Sequence, residues 1–186
     1  MIRFFKAFDP LRIIVLLLVL LLLRLPMMIS GTPLLVPELD WLVIGERMND
    51  GFGLYRDIWD TIEPLSAGVY FMLDKLFGKS QLSYQIVALI LLYLQALLFN
   101  LVININNLFN ERTLVPGLLY VLFASLFFDF LTLSPVLMGL PFLILALHFI
   151  FIQMRSGTDD ESILFYSSAF YFPVLLSPFI FYATTL

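Results

Sequence analysis

The chain has 186 residues, 61% of them hydrophobic, 16% aromatic and only 13% charged, with a net charge of −4. Water-soluble domains carry about 25% charged residues, so this composition excludes an ordinary soluble globule. The absence of cysteine removes disulfides and thiolate metal sites, a lone His148 removes a histidine-rich site, and no basic run suggests nucleic acid.

Charges at Arg3, Lys6 and Arg12 precede the first apolar run. That run continues through Arg24 and Pro26 without a small-residue cleavage site, which predicts a retained helix rather than a signal peptide. Candidate spans fall at 11–29, 82–103, 114–131, 135–154 and 163–184, each near the roughly 20 residues that cross a bilayer. None alternates apolar and polar residues as a barrel strand does. The expectation is an all-α, polytopic helical membrane protein of about five transmembrane helices, a single membrane domain over 1–186. Basic residues before the first span place the N-terminus in the cytoplasm and the loop 30–81 outside. Lys75 and Lys79 beside the second span pull mildly the other way.

The external loop concentrates the polar chemistry. Residues 38–65 hold seven of the fourteen carboxylates and both tryptophans. Pro37, Gly51, Gly53, Pro64 and Gly78 break the loop up, and at about 50 residues it is too short to build its own core. Two interfacial helices are expected within it. In the first, over 38–48, Trp41, Ile44, Gly45 and Met48 recur at helical spacing, Pro37-Glu38 suits its start, and Asn49-Asp50-Gly51 ends it. The second, over 65–77, is apolar but too short to span. Trp41 and Trp59 suit headgroup depth.

Glu38, Asp40, Asp57, Asp60 and Glu63 could supply a general base or an oxygen-rich divalent-cation site. The plainer reading makes them solvated loop charges and helix caps. Tyr55-Arg56-Asp57-Ile-Trp59-Asp60 sets a guanidinium among aromatics and carboxylates, where it can pair with a phosphate or hold the loop to its neighbours. Asp129, in Phe127-Phe-Asp-Phe130, is an ionisable group in a span, or a charge reaching water near its end. Arg24 can snorkel or pair with a loop carboxylate. Gln85, Gln95 and Asn100 read as interhelical hydrogen bonders, and His148 as neutral packing before a ligand role. No Gly-x-Ser-x-Gly, His-Glu-x-x-His or phosphate-binding glycine loop occurs in the sequence.

The stretch 35–82 resembles the first external loop of polytopic glycosyltransferases of the GT-C fold, which use polyprenyl-phosphate sugars. The resemblance runs through Pro37-Glu38-Leu39-Asp40, Gly45-Glu46-Arg47-Met48, Gly51-Phe-Gly-Leu-Tyr-Arg-Asp-Ile-Trp-Asp-Thr-Ile-Glu-Pro-Leu65, and Leu76-Phe77-Gly78-Lys79-Ser80. The chain is also similar to a family of uncharacterised bacterial inner-membrane proteins that share the Leu-Tyr-x-Asp-x-x-Asp pattern and are longer. That similarity implies an inner-membrane location with a periplasmic loop, and a chain that continues past Leu186.

Carried over, the resemblance implies a GT-C-like N-terminal half and a polyprenyl-phosphate sugar donor. It makes Glu38 or Asp40 the base on the acceptor hydroxyl, Arg56 the phosphate ligand, and Asp57 or Asp60 a holder of cation or sugar. Three departures stand out. Pro37 occupies the first position of the family's Asp-Glu pair, Glu63 replaces the first proline of Pro-Pro-Leu, and Asp129 falls several residues before the expected second-loop acid. They motivate a rival reading, a non-catalytic membrane scaffold or assembly factor with membrane-protein partners. A transporter or lipid-handling subunit is a third. An enzyme needs Glu38 or Asp40 gathered with Asp57 or Asp60 at a groove, whereas a scaffold leaves them dispersed.

Overall fold

The computed structural model describes residues 10–30, 36–60, 62, 64–78, 80–108, 114–127 and 130–156. Within these residues the regular structure is six helices, α1 (Pro10–Ser30), α2 (Val36–Asn49), α3 (Pro64–Phe77), α4 (Gln81–Ile105), α5 (Val115–Ala124) and α6 (Pro135–Ser156). The helical class is as expected, and no strand occurs among the described residues. Helices α1, α3 and α6 begin on proline, whose fixed φ suits the first turn and whose missing N–H leaves no orphan donor there.

Helix ends follow local chemistry. Gly51 takes φ 95°, its N–H bonds to the Met48 carbonyl, and the Phe52 N–H reaches the Arg47 carbonyl. This is the paired reverse bond of a Schellman cap, which needs a left-handed residue after the helix. Asn107, at φ 52°, closes α4 in the same way through Asn107 N–H to Asn104 and Leu108 N–H to Ile103. Gly78 (φ 68°) ends α3 with one bond to the Asp74 carbonyl.

Helix α4 is the hub and packs against α1, α3, α5 and α6. It buries Tyr84, Ala88, Leu92, Gln95, Ala96 and Asn100, a stripe repeating at helical spacing. The small residues on it allow close approach. A Cβ added at Gly117 of α5 would meet the Ala96 carbonyl oxygen at 3.2 Å, Asn100 Cβ at 3.2 Å and Leu16 Cδ1 at 3.4 Å, so three helices converge there. Asn100 Oδ1 accepts from the Gly117 N–H at 3.3 Å. From α1, Leu16, Leu20 and Arg24 form the buried stripe.

The opposite faces are apolar as well. Leu82, Ile86, Ile90 and Leu94 run along one exposed side of α4, and Leu18, Leu22, Leu25 and Ile29 along α1. Gln81–Ile105 and Pro135–Ile152 are long and apolar enough to cross a membrane, yet only 33% and 22% of their apolar windows are buried within the protein. The core helix of a soluble domain would be mostly covered. By length and composition these two helices could cross a membrane.

The expected third span, 114–131, differs from the structure. Helix α5 covers only Val115–Ala124, about 15 Å at 1.5 Å per residue, which is half a hydrocarbon core. At its end the Ser125 hydroxyl donates to the Val121 carbonyl at 2.7 Å and the chain turns. Such back-bonding lets serine compete with helical continuation. The candidate span 163–184 and Asp129 lie outside the described residues.

Candidate functional site

The site is built on the α2–α3 pair, which forms because Gly45 lets two backbones meet. A Cβ at Gly45 would lie 2.9 Å from the Tyr70 carbonyl carbon and 3.0 Å from its oxygen and Cβ. Tyr70 then reaches three ways. Its ring stacks on Trp41 of α2 at 6.0 Å, sits 5.9 Å from Tyr84 of α4, and its hydroxyl donates to the Leu133 carbonyl ahead of α6. Asn49 Nδ2 donates to Asp74 Oδ2 at 2.7 Å and to the Phe71 carbonyl at 3.2 Å, fixing the end of α2 on α3. The loop helices are thereby locked to the apolar bundle.

The connector between them folds on itself. The Gly53 carbonyl accepts from the N–H groups of Arg56, Asp57 and Ile58, and the Tyr55 N–H bonds to the Ile58 carbonyl. Asp57 Oδ2 accepts from the Gly53 N–H at 2.8 Å, and Asp60 Oδ1 from the Ile62 N–H at 3.0 Å. Tyr55 takes φ 64°, uncommon for a bulky side chain, and its hydroxyl donates to the Ile62 carbonyl. Ile62 is buried, and Leu54 and Ile58 pack on the core. These anchors hold the acidic edge of the connector in a set place.

That place faces α2. A cavity of about 290 Å³ is lined by Asp40, Val43, Ile44 and Arg47 from α2 and by Asp57, Ile58, Trp59 and Asp60 from the connector. The α2 members are spaced i, i+3, i+4 and i+7, one helix face. Trp59 is 92% exposed, so its indole is a free face at the rim. Three carboxylates and one guanidinium give the cavity an acidic balance. Arg47 packs its guanidinium against the Phe52 ring at 6.0 Å and forms no ion pair among the described residues, which leaves its donors available to a ligand.

The expected residues therefore divide. Asp40, Asp57 and Asp60 come together. Glu38 does not join them: it is buried, 7% exposed, in the first turn of α2, where a carboxylate meets the positive helix end. Arg56 points outward, its side chain 87% exposed, with Nε 3.7 Å from Asp57 Oδ1. Arg47 stands where Arg56 was expected. Tyr55 braces the connector and does not line the cavity. Glu63 and Asp129 are outside the described residues. Arg24 is buried and donates to the Phe130 carbonyl, and it pairs with no loop carboxylate among the described residues. Among the described residues no three acids or imidazoles are grouped to hold a metal ion, so the cation expectation finds no ligand set there.

The polar residues on the long apolar helices also separate. Gln95 and Asn100 make interhelical bonds as expected, while Gln85 lines a crevice beside Arg24. His148 Nδ1 lies 3.1 Å from Asn106 Nδ2, joining α6 to the end of α4. No family model, no curated protein and no solved structure matches the chain.

Proposed function

We propose that the chain is part of a multi-pass membrane glycosyltransferase that takes sugar from a polyprenyl-phosphate donor, with the acidic cavity at the outer membrane surface as its site. The observation that carries the reading is the convergence of Asp40, Arg47, Asp57, Trp59 and Asp60 on one cavity beside apolar helices. The surrounding architecture is that of a GT-C-like N-terminal half in a bacterial inner membrane. Its N-terminus is cytoplasmic, the loop 30–81 periplasmic, and about five helices cross the bilayer. The uncovered apolar faces of α1 and α4 support the membrane setting.

Each cavity residue has a role in this reading. Asp40, exposed on the face of α2 that lines the cavity, accepts the proton of the acceptor hydroxyl. The freed oxygen attacks the anomeric carbon of the donor sugar. The bond from that carbon to the phosphate oxygen breaks, and its electron pair leaves with the polyprenyl phosphate. Arg47 offers a planar fork to the phosphate, the geometry that favours arginine over lysine. Trp59 provides an apolar face for the sugar ring, and Asp57 and Asp60 accept hydrogen bonds from its hydroxyls. The test is transfer from a polyprenyl-phosphate sugar in proteoliposomes, comparing wild type with Asp40→Asn and Arg47→Ala. Absence of both donor binding and turnover in well-folded wild type would overturn the reading.

A non-catalytic scaffold is favoured by one observation. Asp57 and Asp60 each spend a carboxylate oxygen on an N–H of their own connector. Under that reading, substitutions there loosen the loop and the cavity binds no donor.

A further inference from the structure

We propose that the crevice between α1 and α4 at Arg24 binds the phosphate of a bilayer phospholipid. The inference rests on the membrane reading and is independent of the transferase chemistry.

Arg24 is 4% exposed. One terminal nitrogen donates to the Phe130 carbonyl, while its Nε has no hydrogen-bond partner, and no carboxylate pairs with it among the described residues. A guanidinium carries five N–H donors in a fixed fork. A buried positive charge answered, among the described residues, by one backbone carbonyl is incompletely compensated there, and buried charges are kept when paired. The crevice wall shows what would complete it. Gln85 of α4 lines the same space, and its amide has no partner among the described residues, while Met28, Leu89 and Leu131 form the rest. The crevice is narrow and partly open at the surface. A phosphoryl oxygen entering it would accept from both the Arg24 fork and the Gln85 amide.

Depth and flanks identify the rest of the ligand. Arg24 lies under two turns before the end of α1 at Ser30, and Gln85 about one turn after the start of α4 at Gln81. Both are therefore roughly 6–9 Å from the helix ends that carry the polar loop, the depth of the boundary between headgroups and acyl chains. Beside them on the same two helices, Leu25, Ile29, Leu82 and Ile86 are exposed. An anion at the crevice with an apolar tail over these residues is an amphiphile, and its chemistry is that of a phospholipid.

The experiment uses the full chain, purified lipid-free in neutral detergent, and titrates it by native mass spectrometry and thermal melting. The probes are phosphatidylglycerol, a diacylglycerol with the same chains, and glycerol phosphate. Phosphatidylglycerol is expected to bind saturably and raise the melting temperature, with the other two at least about tenfold weaker, the scale of one charge-assisted hydrogen bond. Arg24→Gln should weaken phosphatidylglycerol by about tenfold or more, and Gln85→Leu by about threefold, as befits a neutral donor. Equal binding of phosphatidylglycerol and diacylglycerol, or of wild type and Arg24→Gln, overturns the proposal. Glycerol phosphate binding as tightly as the lipid overturns the lipid assignment. Should Arg24→Gln not fold, the wild-type probe series and Gln85→Leu decide by the same criteria. A parallel Asp129→Asn adds one more way to fail. If it and Arg24→Gln lower lipid-free stability equally and neither alters lipid binding, Arg24 serves an internal ion pair instead. Loss of sugar transfer alone leaves every one of these readouts in place.

Discussion

Gln95 of α4 donates its side-chain amide, at 2.5 Å, to the Leu137 carbonyl of α6, the carbonyl that Pro141 leaves without its helical N–H four residues on. A proline inside a helix always frees one such acceptor, and in an apolar surround a neighbour must satisfy it. The Tyr120 hydroxyl of α5 donates in turn to Gln95 Oε1 at 2.8 Å, so one amide ties three helices together.

Gln95→Leu should accordingly cost about 1–2 kcal/mol, at the upper end for an interhelical bond in a membrane because two partners are orphaned together. Pro141→Ala returns an N–H to α6, and combined with Gln95→Leu it should recover part of that loss. Unfolding in detergent of both single variants and the double variant measures the coupling. Strict additivity would mean that Gln95 is not answering the proline.

Gly45 and Gly68 make a matched pair of opposite sign. Alanine at Gly45 meets Tyr70 backbone at 2.9–3.0 Å, and backbone cannot step aside cheaply, so Gly45→Ala should destabilise by about 1–3 kcal/mol. Gly68, inside α3, has nothing within 4 Å of its added Cβ. Gly68→Ala should stabilise by up to about 1 kcal/mol through helix propensity. Thermal melts of the two variants side by side check the sign reversal.

The contrast shows how far the sequence could be read. Periodicity located both loop helices to within about two residues, because their ends carry their own signals: proline at the start of α3, and Gly51 and Gly78 in left-handed caps. Gly45 was visible on the buried face of α2, but that it abuts the Tyr70 backbone depends on a partner 25 positions away. The site was legible as a segment and not as a constellation. The carboxylate cluster points to Asp40, Asp57 and Asp60, whereas the motif around residue 56 points to Arg56 and the cavity holds Arg47. The spacing of Asp40, Val43, Ile44 and Arg47 on one helix face was the available signal. What hid it is that the connector's turn, set by hydrogen bonds to the Gly53 carbonyl, aims Arg56 outward. The span expected at 114–131 failed for a related reason, since apolar composition continues through Ser125 while the helix does not.

The connector itself offers a stability test separate from binding. Asp57→Ala removes the acceptor for the Gly53 N–H, which costs about 0.5–1.5 kcal/mol of local order. Asp57→Asn keeps an acceptor oxygen and should cost less. Arg56 is exposed beside it, so tryptic cleavage after Arg56 reports the opening directly. Cleavage should accelerate about tenfold at most in Asp57→Ala and little in Asp57→Asn, scaling with the open population. Equal rates in all three proteins would show that the carboxylate does not close the loop.

Glu38 and Asp40 both belong to the first turns of α2, but only Asp40 lines the cavity. If Asp40 is the base, Asp40→Asn should leave folding intact and lower transfer about a hundredfold or more, the usual contribution of general-base catalysis. Donor binding should persist in that variant, because the phosphate contact belongs to Arg47. Glu38→Gln should behave in the reverse way. Its neutral side chain loses the attraction between a carboxylate and the helix start, about 0.3–1 kcal/mol at that position, with transfer per folded molecule little changed. The pair is read by thermal melting together with single-turnover transfer at saturating donor. Loss of transfer in Glu38→Gln, with Asp40→Asn active, would move the base into the buried first turn and away from the cavity. A scaffold gives a third pattern, in which both variants shift stability and neither they nor wild type turn over donor.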